Sequence, residues 1–272
     1  MTVINILHLP RDDRLRMIVR IAIDFIEEVY RDAVLSGLRL VSFDDADSFD
    51  VEQAKYIAVK EGFTGEVEHR GCTYEPRLPR FSWPHYDHDR RYAWVPVLKY
   101  LKIPRIFGSV VHEVTHHVVS GFPREDVNAI INALRVDLGA DVEEALVKYA
   151  RYMSMSGKVP KWATYLRDVI EEITTIYIAD NYFMNLEREP RTPTLLTGIR
   201  DFTTFMRFAT PSHPPIYRTL GILYYKLAHQ DLAGFRRAVH EAFAKTIKRF
   251  PADVLESNRA KYEILYRGER TI

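Results

Sequence analysis

Val110-Val111-His112-Glu113-Val114-Thr115-His116-His117-Val118-Val119 is the run from which the reading of this chain starts. It sets a His-Glu-x-x-His pattern inside an apolar stretch. On a helix, four residues at ~100° each leave His112 and His116 only ~40° apart around the axis and ~6 Å apart along it, so both imidazoles can reach one metal ion. Glu113 stands beside them, where a carboxylate can take a proton from a water activated by that metal. Pro104 suits a first helical turn, and Gly121 followed by Pro123 supplies a stop, so the spacing predicts a helix from about Pro104 to Ser120. Val110, Val111, Val114, Val118 and Val119 make that helix apolar over much of its circumference, which predicts burial. Two histidines and a glutamate in a buried helix need partners, and a zinc ion supplies them. A pair of core histidines without metal is the competing reading.

The rest of the chain sets the context. With 272 residues it can bury a substantial core as one compact domain. A hydrophobic content of 47% and a charged content of 28% are those of an ordinary soluble globular protein. The formal net charge of +1 offers no general excess of positive charge for nucleic acid or a membrane surface. The stretch Met1 to Arg20 carries Asp12, Asp13, Arg14 and Arg16 and has no signal-peptide core, and no long uncharged apolar run occurs, so a soluble cytoplasmic protein with no membrane span is expected. The single cysteine, Cys72, excludes an intrachain disulfide and a Cys-rich zinc finger.

Along the chain, Leu15, Ile18, Val19, Ala22, Ile23, Ile26, Val29 and Tyr30 recur at helical spacing, predicting a helix from Arg11 to Leu35 that Gly37 ends. Leu38 to Phe43 alternates like a strand, Asp44 to Ser48 reads as a solvated acidic turn, and Val51 to Glu61 as a helix. Glu66 to Tyr74 predicts one or two short strands. Trp83-Pro84-His85-Tyr86-Asp87-His88-Asp89-Arg90-Arg91 reads foremost as a solvated loop, with a second metal site or a substrate-facing loop as alternatives. Tyr92 to Leu98 predicts a strand, which as an edge strand could pair with an extended peptide. Beyond the metal helix the pattern is helical: about Arg124 to Arg135, Asp141 to Met155, Lys161 to Leu186, Thr194 to Phe208, Pro215 to His229 and Leu232 to Arg249. Arg236, Arg237, Lys245, Lys248 and Arg249 give the last helix a basic face, read as solvated. The fold class is therefore α+β and mostly helical, with a small α/β part over about 1–103 and a helical part over about 104–272.

A catalytic zinc takes three protein ligands and keeps one position open. No third histidine follows closely, since the residues beyond His117 run Val-Val-Ser-Gly-Phe-Pro. A glutamate on a later helix is the best remaining route. In the predicted helix Lys161 to Leu186, Tyr165, Val169, Glu172, Ile176, Ala179 and Phe183 share one face, so Glu172 interrupts an apolar stripe and is the preferred ligand. Glu171 falls with Thr164, Arg167, Asp168, Thr174 and Thr175 on a polar side and is held in reserve. An ion pair with a basic residue is the other use for Glu172. Asp180, two turns beyond Glu172, could orient a ligand histidine through its ring N–H, and an aspartate near a helix end is the other reading.

His112-Glu113-x-x-His116 with a later glutamate resembles the gluzincin class of zinc metallopeptidases. Two more fragments resemble the branch that contains the CAAX prenyl proteases and HtpX. Ala179-Asp180 matches the end of its Glu-x-x-Ala-Asp motif, and Ser212-His213-Pro214-Pro215-Ile216-Tyr217-Arg218 matches its His-Pro-Pro segment with a following arginine. Ile176 stands where that motif has glutamate, Arg218 comes one residue early, and the membrane spans of the branch are missing. The resemblance implies a zincin-like fold, a zinc cofactor, a peptide or protein substrate, and a cleft in which His213 or Arg218 steadies an oxyanion. His213-Pro214-Pro215 also reads as a plain turn before a helix. A second resemblance, to peptide deformylases, rests on Gly71-Cys72 upstream of the metal helix and would make Cys72 the third ligand. The expected activity is peptide-bond hydrolysis with Glu113 as general base. A metal-binding or partner-binding protein that does not cut is the main alternative.

Overall fold

The computed structural model describes residues 2–44, 67–69, 72–74, 84–88, 91–97, 101–139, 162–184, 186 and 232–266. The helices expected over 51–61, 141–155, 194–208 and 215–229 lie outside these residues. The chain is mostly helical with a small, chiefly parallel sheet, in keeping with an α+β class. It divides into two compact units, residues 1–118 with 247–272, and residues 119–246. Among the described residues no helix is long and apolar enough to cross a membrane.

In the first unit, strands β1 (Asn5–His8), β2 (Arg39–Phe43), β5 (His85–Asp87) and β6 (Tyr92–Pro96) form one sheet in the order β1-β2-β6-β5. The first three neighbours run parallel, and β5 joins antiparallel to β6 through His85↔Trp94, Tyr86↔Ala93 and Asp87↔Tyr92. β6 is therefore an inner strand, and among the described residues the sheet edge belongs to β5, contrary to the edge position open to β6 from sequence. Strand β2 is buried on both faces from Leu40 to Phe43, as suits a strand with parallel neighbours on each side. Val41, Phe43 and Tyr92 cluster there with Leu7 and Trp94. The two short strands expected before Tyr74 are β3 (Val67–His69) and β4 (Cys72–Tyr74), an antiparallel pair.

Helix α1 (Asp13–Val29) opens on Asp12, whose Oδ1 accepts from the Leu15 N–H at 3.0 Å. Its apolar stripe is buried at Leu15, Ile18, Val19, Ala22, Ile23, Ile26 and Val29. It stops at Val29, well short of Gly37, because Tyr30 turns extended and bridges to Ile247, while its hydroxyl sits 3.1 Å from Thr115 Oγ1. A separate turn of helix, α2 (Asp32–Leu35), precedes Gly37, which takes φ +80 where a side chain would be strained. Helix α3 (Ile103–Ser120) carries the His-Glu-x-x-His pattern and is one residue longer at its start than expected. Phe25 of α1 meets Phe107 of α3 edge to face at 5.6 Å. After Ile247 the chain forms α7 (Pro251–Ser257), α8 (Arg259–Tyr262) and a 3-10 turn (Glu263–Leu265), whose Tyr262 closes on Phe25 at 4.9 Å.

The second unit contains α4 (Arg124–Leu138), α5 (Trp162–Ile178) with a π-helical turn (Ala179–Met184) at its end, and α6 (Ala233–Ala244). Asp137 of α4 accepts the Phe235 N–H at 2.7 Å and so caps the first turn of α6. Tyr177 packs edge to face on Phe235, and Tyr182 stacks on Phe243 at 4.5 Å. α6 ends at Ala244, five residues before the expected Arg249, so the basic residues do not share one helix face. Lys245 pairs with Asp126 at 2.6 Å. In the first unit Lys248 pairs with Asp32, and Arg249 donates to the Asp253 carbonyl.

Candidate metal centre

The one-turn spacing of α3 does what helical geometry requires. The Nε2 atoms of His112 and His116 stand 3.1 Å apart, with ring planes at 85°. Two nitrogens bound to one tetrahedral ion at ~2.0–2.1 Å are separated by about 3.3 Å, so the rings already hold the spacing of neighbouring ligands. His112, His116 and Glu172 each offer one ligand atom, and the three atoms lie within 4.8 Å of one another. Together they could hold a metal ion. Two imidazoles and a carboxylate make the donor set of three-ligand sites that keep a position open. Glu113 is 2% exposed and follows His112 directly, so an acidic group lies in the same turn as the first ligand.

The surroundings of His116 come from a segment that the sequence suggested to be a solvated loop. Residues 85–87 are instead strand β5, and Tyr86 is buried. The Tyr86 ring lies parallel to that of His116, within 5° and 6.4 Å between centroids. His88 stands edge-on to both, 4.9 Å from Tyr86 and 6.4 Å from His116. The Tyr86 hydroxyl is 2.7 Å from Nδ1 of His117, a residue to which the sequence reading gave no task. Burial, then the nearby Arg91 guanidinium, push His117 down to about 4, against hydrogen bonds to the backbone of Ser36 and Val34 that raise it. His117 is thus a neutral ring at pH 7. The only foreshadowing of this arrangement was two histidines and a tyrosine within four residues of each other.

On α5 the burial argument for choosing between the glutamates does not hold. Glu171 is buried at 6% exposure, beside buried Thr174 and Thr175, so the side read as polar surface is packed. Glu172 is only half-buried, yet it is the one grouped with the histidines. Threonine patterning misleads because its methyl group packs as readily as its hydroxyl is solvated. Asp180 is buried in the π-helical turn, a form of backbone that recurs at functional sites. His213 and Arg218 lie outside the described residues. Cys72 lies on β4, with its side chain outside them.

Compared with protein-family models, with curated proteins and with solved structures, the chain matches none.

Proposed function

We propose that this chain is a zinc-dependent metallopeptidase of the gluzincin kind, with a zincin-like fold and a peptide or protein substrate. The observation that carries the reading is the grouping of His112, His116 and Glu172 with the buried Glu113 in the turn between the histidines. A zinc ion held by the three ligands would supply a Lewis acid that acidifies a water and polarises a carbonyl. The Glu113 carboxylate takes the proton of the attacking water and returns it to the leaving amine. His213, or Arg218, steadies the negative charge that develops on the carbonyl oxygen. Zinc is favoured over harder cations because two of the three donors are imidazoles.

The test pairs elemental analysis with turnover. Glu113→Gln retains one zinc per chain while hydrolysis of a mixed peptide library falls by roughly 10²–10⁴ or more, the contribution of a positioned general base. Unaltered hydrolysis in Glu113→Gln refutes the base assignment. A wild type that binds zinc and cuts no peptide in the library favours the non-catalytic binding reading.

A further inference from the structure

We propose that Tyr86 and His117 form a positioning pair, which ties edge strand β5 to the metal helix and thereby holds the ring of His116 at the angle its ligand role requires. The inference rests on the reading of His112 and His116 as metal ligands, and it adds two residues to the site that do not touch the ion.

His117 follows His116 directly, so it projects ~100° away around the helix and cannot share its ion. It is nevertheless buried, and a buried imidazole is costly unless its nitrogens are partnered. Its partners come from two other segments of the first unit: the Tyr86 hydroxyl from β5, and the backbone of Ser36 and Val34 from the turn around α2. Nδ1 of His117 lies 2.7 Å from the Tyr86 hydroxyl, and the ring also meets the backbone of Ser36 and Val34. One histidine therefore clamps three segments to each other.

The need for a clamp follows from the sheet. β5 spans three residues and, among the described residues, pairs with β6 alone. A strand that short has few ladder hydrogen bonds to fix it, and the Tyr86 to His117 bond gives it a second anchor. What the anchor holds is the wall around His116. The Tyr86 ring lies parallel to the ligand ring, His88 stands at 87° to it, and His112 borders it at 4.7 Å. A ligand ring boxed by fixed neighbours loses less rotamer freedom when it binds, which is how residues outside the ligand set raise metal affinity.

A matched control is built into the same helix. Tyr30 also sends a buried hydroxyl to α3, at Thr115 Oγ1, next to His116 in sequence. Tyr30→Phe removes a buried hydrogen bond to the metal helix without touching the wall of the site. The full-length chain, stripped of metal and titrated with Co2+, reports both affinity and the geometry of the ligand field through its visible absorption. Wild type takes up one equivalent. Tyr86→Phe, which keeps the ring and loses only the hydroxyl, and His117→Gln each weaken cobalt binding by about 10–100-fold and change the visible bands. The double variant is no weaker than the weaker single, because both remove the same link. Tyr30→Phe keeps the wild-type spectrum and affinity. Wild-type affinity and spectrum in Tyr86→Phe overturn the proposal, as does a Tyr30→Phe spectrum displaced as far as that of Tyr86→Phe. A wild type that takes up no cobalt overturns the metal reading and this inference with it, whereas uptake without a response in Tyr86→Phe overturns the inference alone.

Discussion

The Nε2 atoms of His112 and His116 face each other across 3.1 Å, one helical turn apart, with their rings nearly perpendicular. Such an approach has one use without an ion, a single N–H···N hydrogen bond, and a second use when an ion sits between the rings. With the Glu172 carboxylate in the same group, the second use employs all three side chains. His116→Ala and His112→Ala should each lower zinc affinity by more than about 100-fold, beyond the 10–100-fold typical of residues that only orient a ligand. Elemental analysis after dialysis checks it, and full zinc occupancy in either variant counts against the site.

The two glutamates of α5 give a discriminating pair. Glu172→Ala should lose zinc, because it removes a donor. Glu171→Ala removes a buried side chain instead and should retain zinc. Zinc content of the two purified variants measures the difference, and the reverse outcome would reassign the third ligand to Glu171.

Packing of the metal helix depends on one aromatic side chain. Phe25 meets Phe107 of α3, Tyr262 and Tyr266 within 6.1 Å, all edge to face. Truncation leaves a cavity that neighbouring rings cannot fill by small shifts. Phe25→Ala should destabilise the first unit by about 3–5 kcal/mol, read from urea unfolding by circular dichroism. A loss below about 1 kcal/mol would mean that the rings reclose around the gap.

Asp137 tests the second unit in the same way. Its carboxylate accepts the Phe235 N–H at 2.7 Å, and Gly234 leaves room for it, since a Cβ there would stand 3.0 Å from Asp137 Oδ1. Asp137→Ala should cost about 1 kcal/mol, the usual worth of a helix cap. Gly234→Ala should lower stability by pushing the carboxylate off the N–H, and thermal melts of the two variants compare them.

The metal helix could be read from its own residues, and the structure places it within one residue of the expected start. So could the apolar stripe of α1 and the strands around Leu40 and Ala93. In each, the spacing of side chains along a regular backbone fixes their directions, and no distant residue is needed. The end of α1 was misjudged because Tyr30 is drawn out by Ile247 and Thr115, far along the chain. The basic face of the last helix dissolved because Lys245 pairs with Asp126, and Lys248 with Asp32.

Local periodicity, then, was enough to say that two imidazoles and a carboxylate sit in one helical turn, since a helix leaves those angles no freedom. It could not say that β5, rather than β6, is the outer of the described strands, or that Tyr86 reaches His117; it did pick Glu172, which the structure groups with the histidines, but from a burial argument that fails, since Glu171 is the more buried of the two. Those are pairings between segments separated by many residues. They are settled by which edges and faces remain open once the chain has collapsed, a quantity that no short window of residues contains.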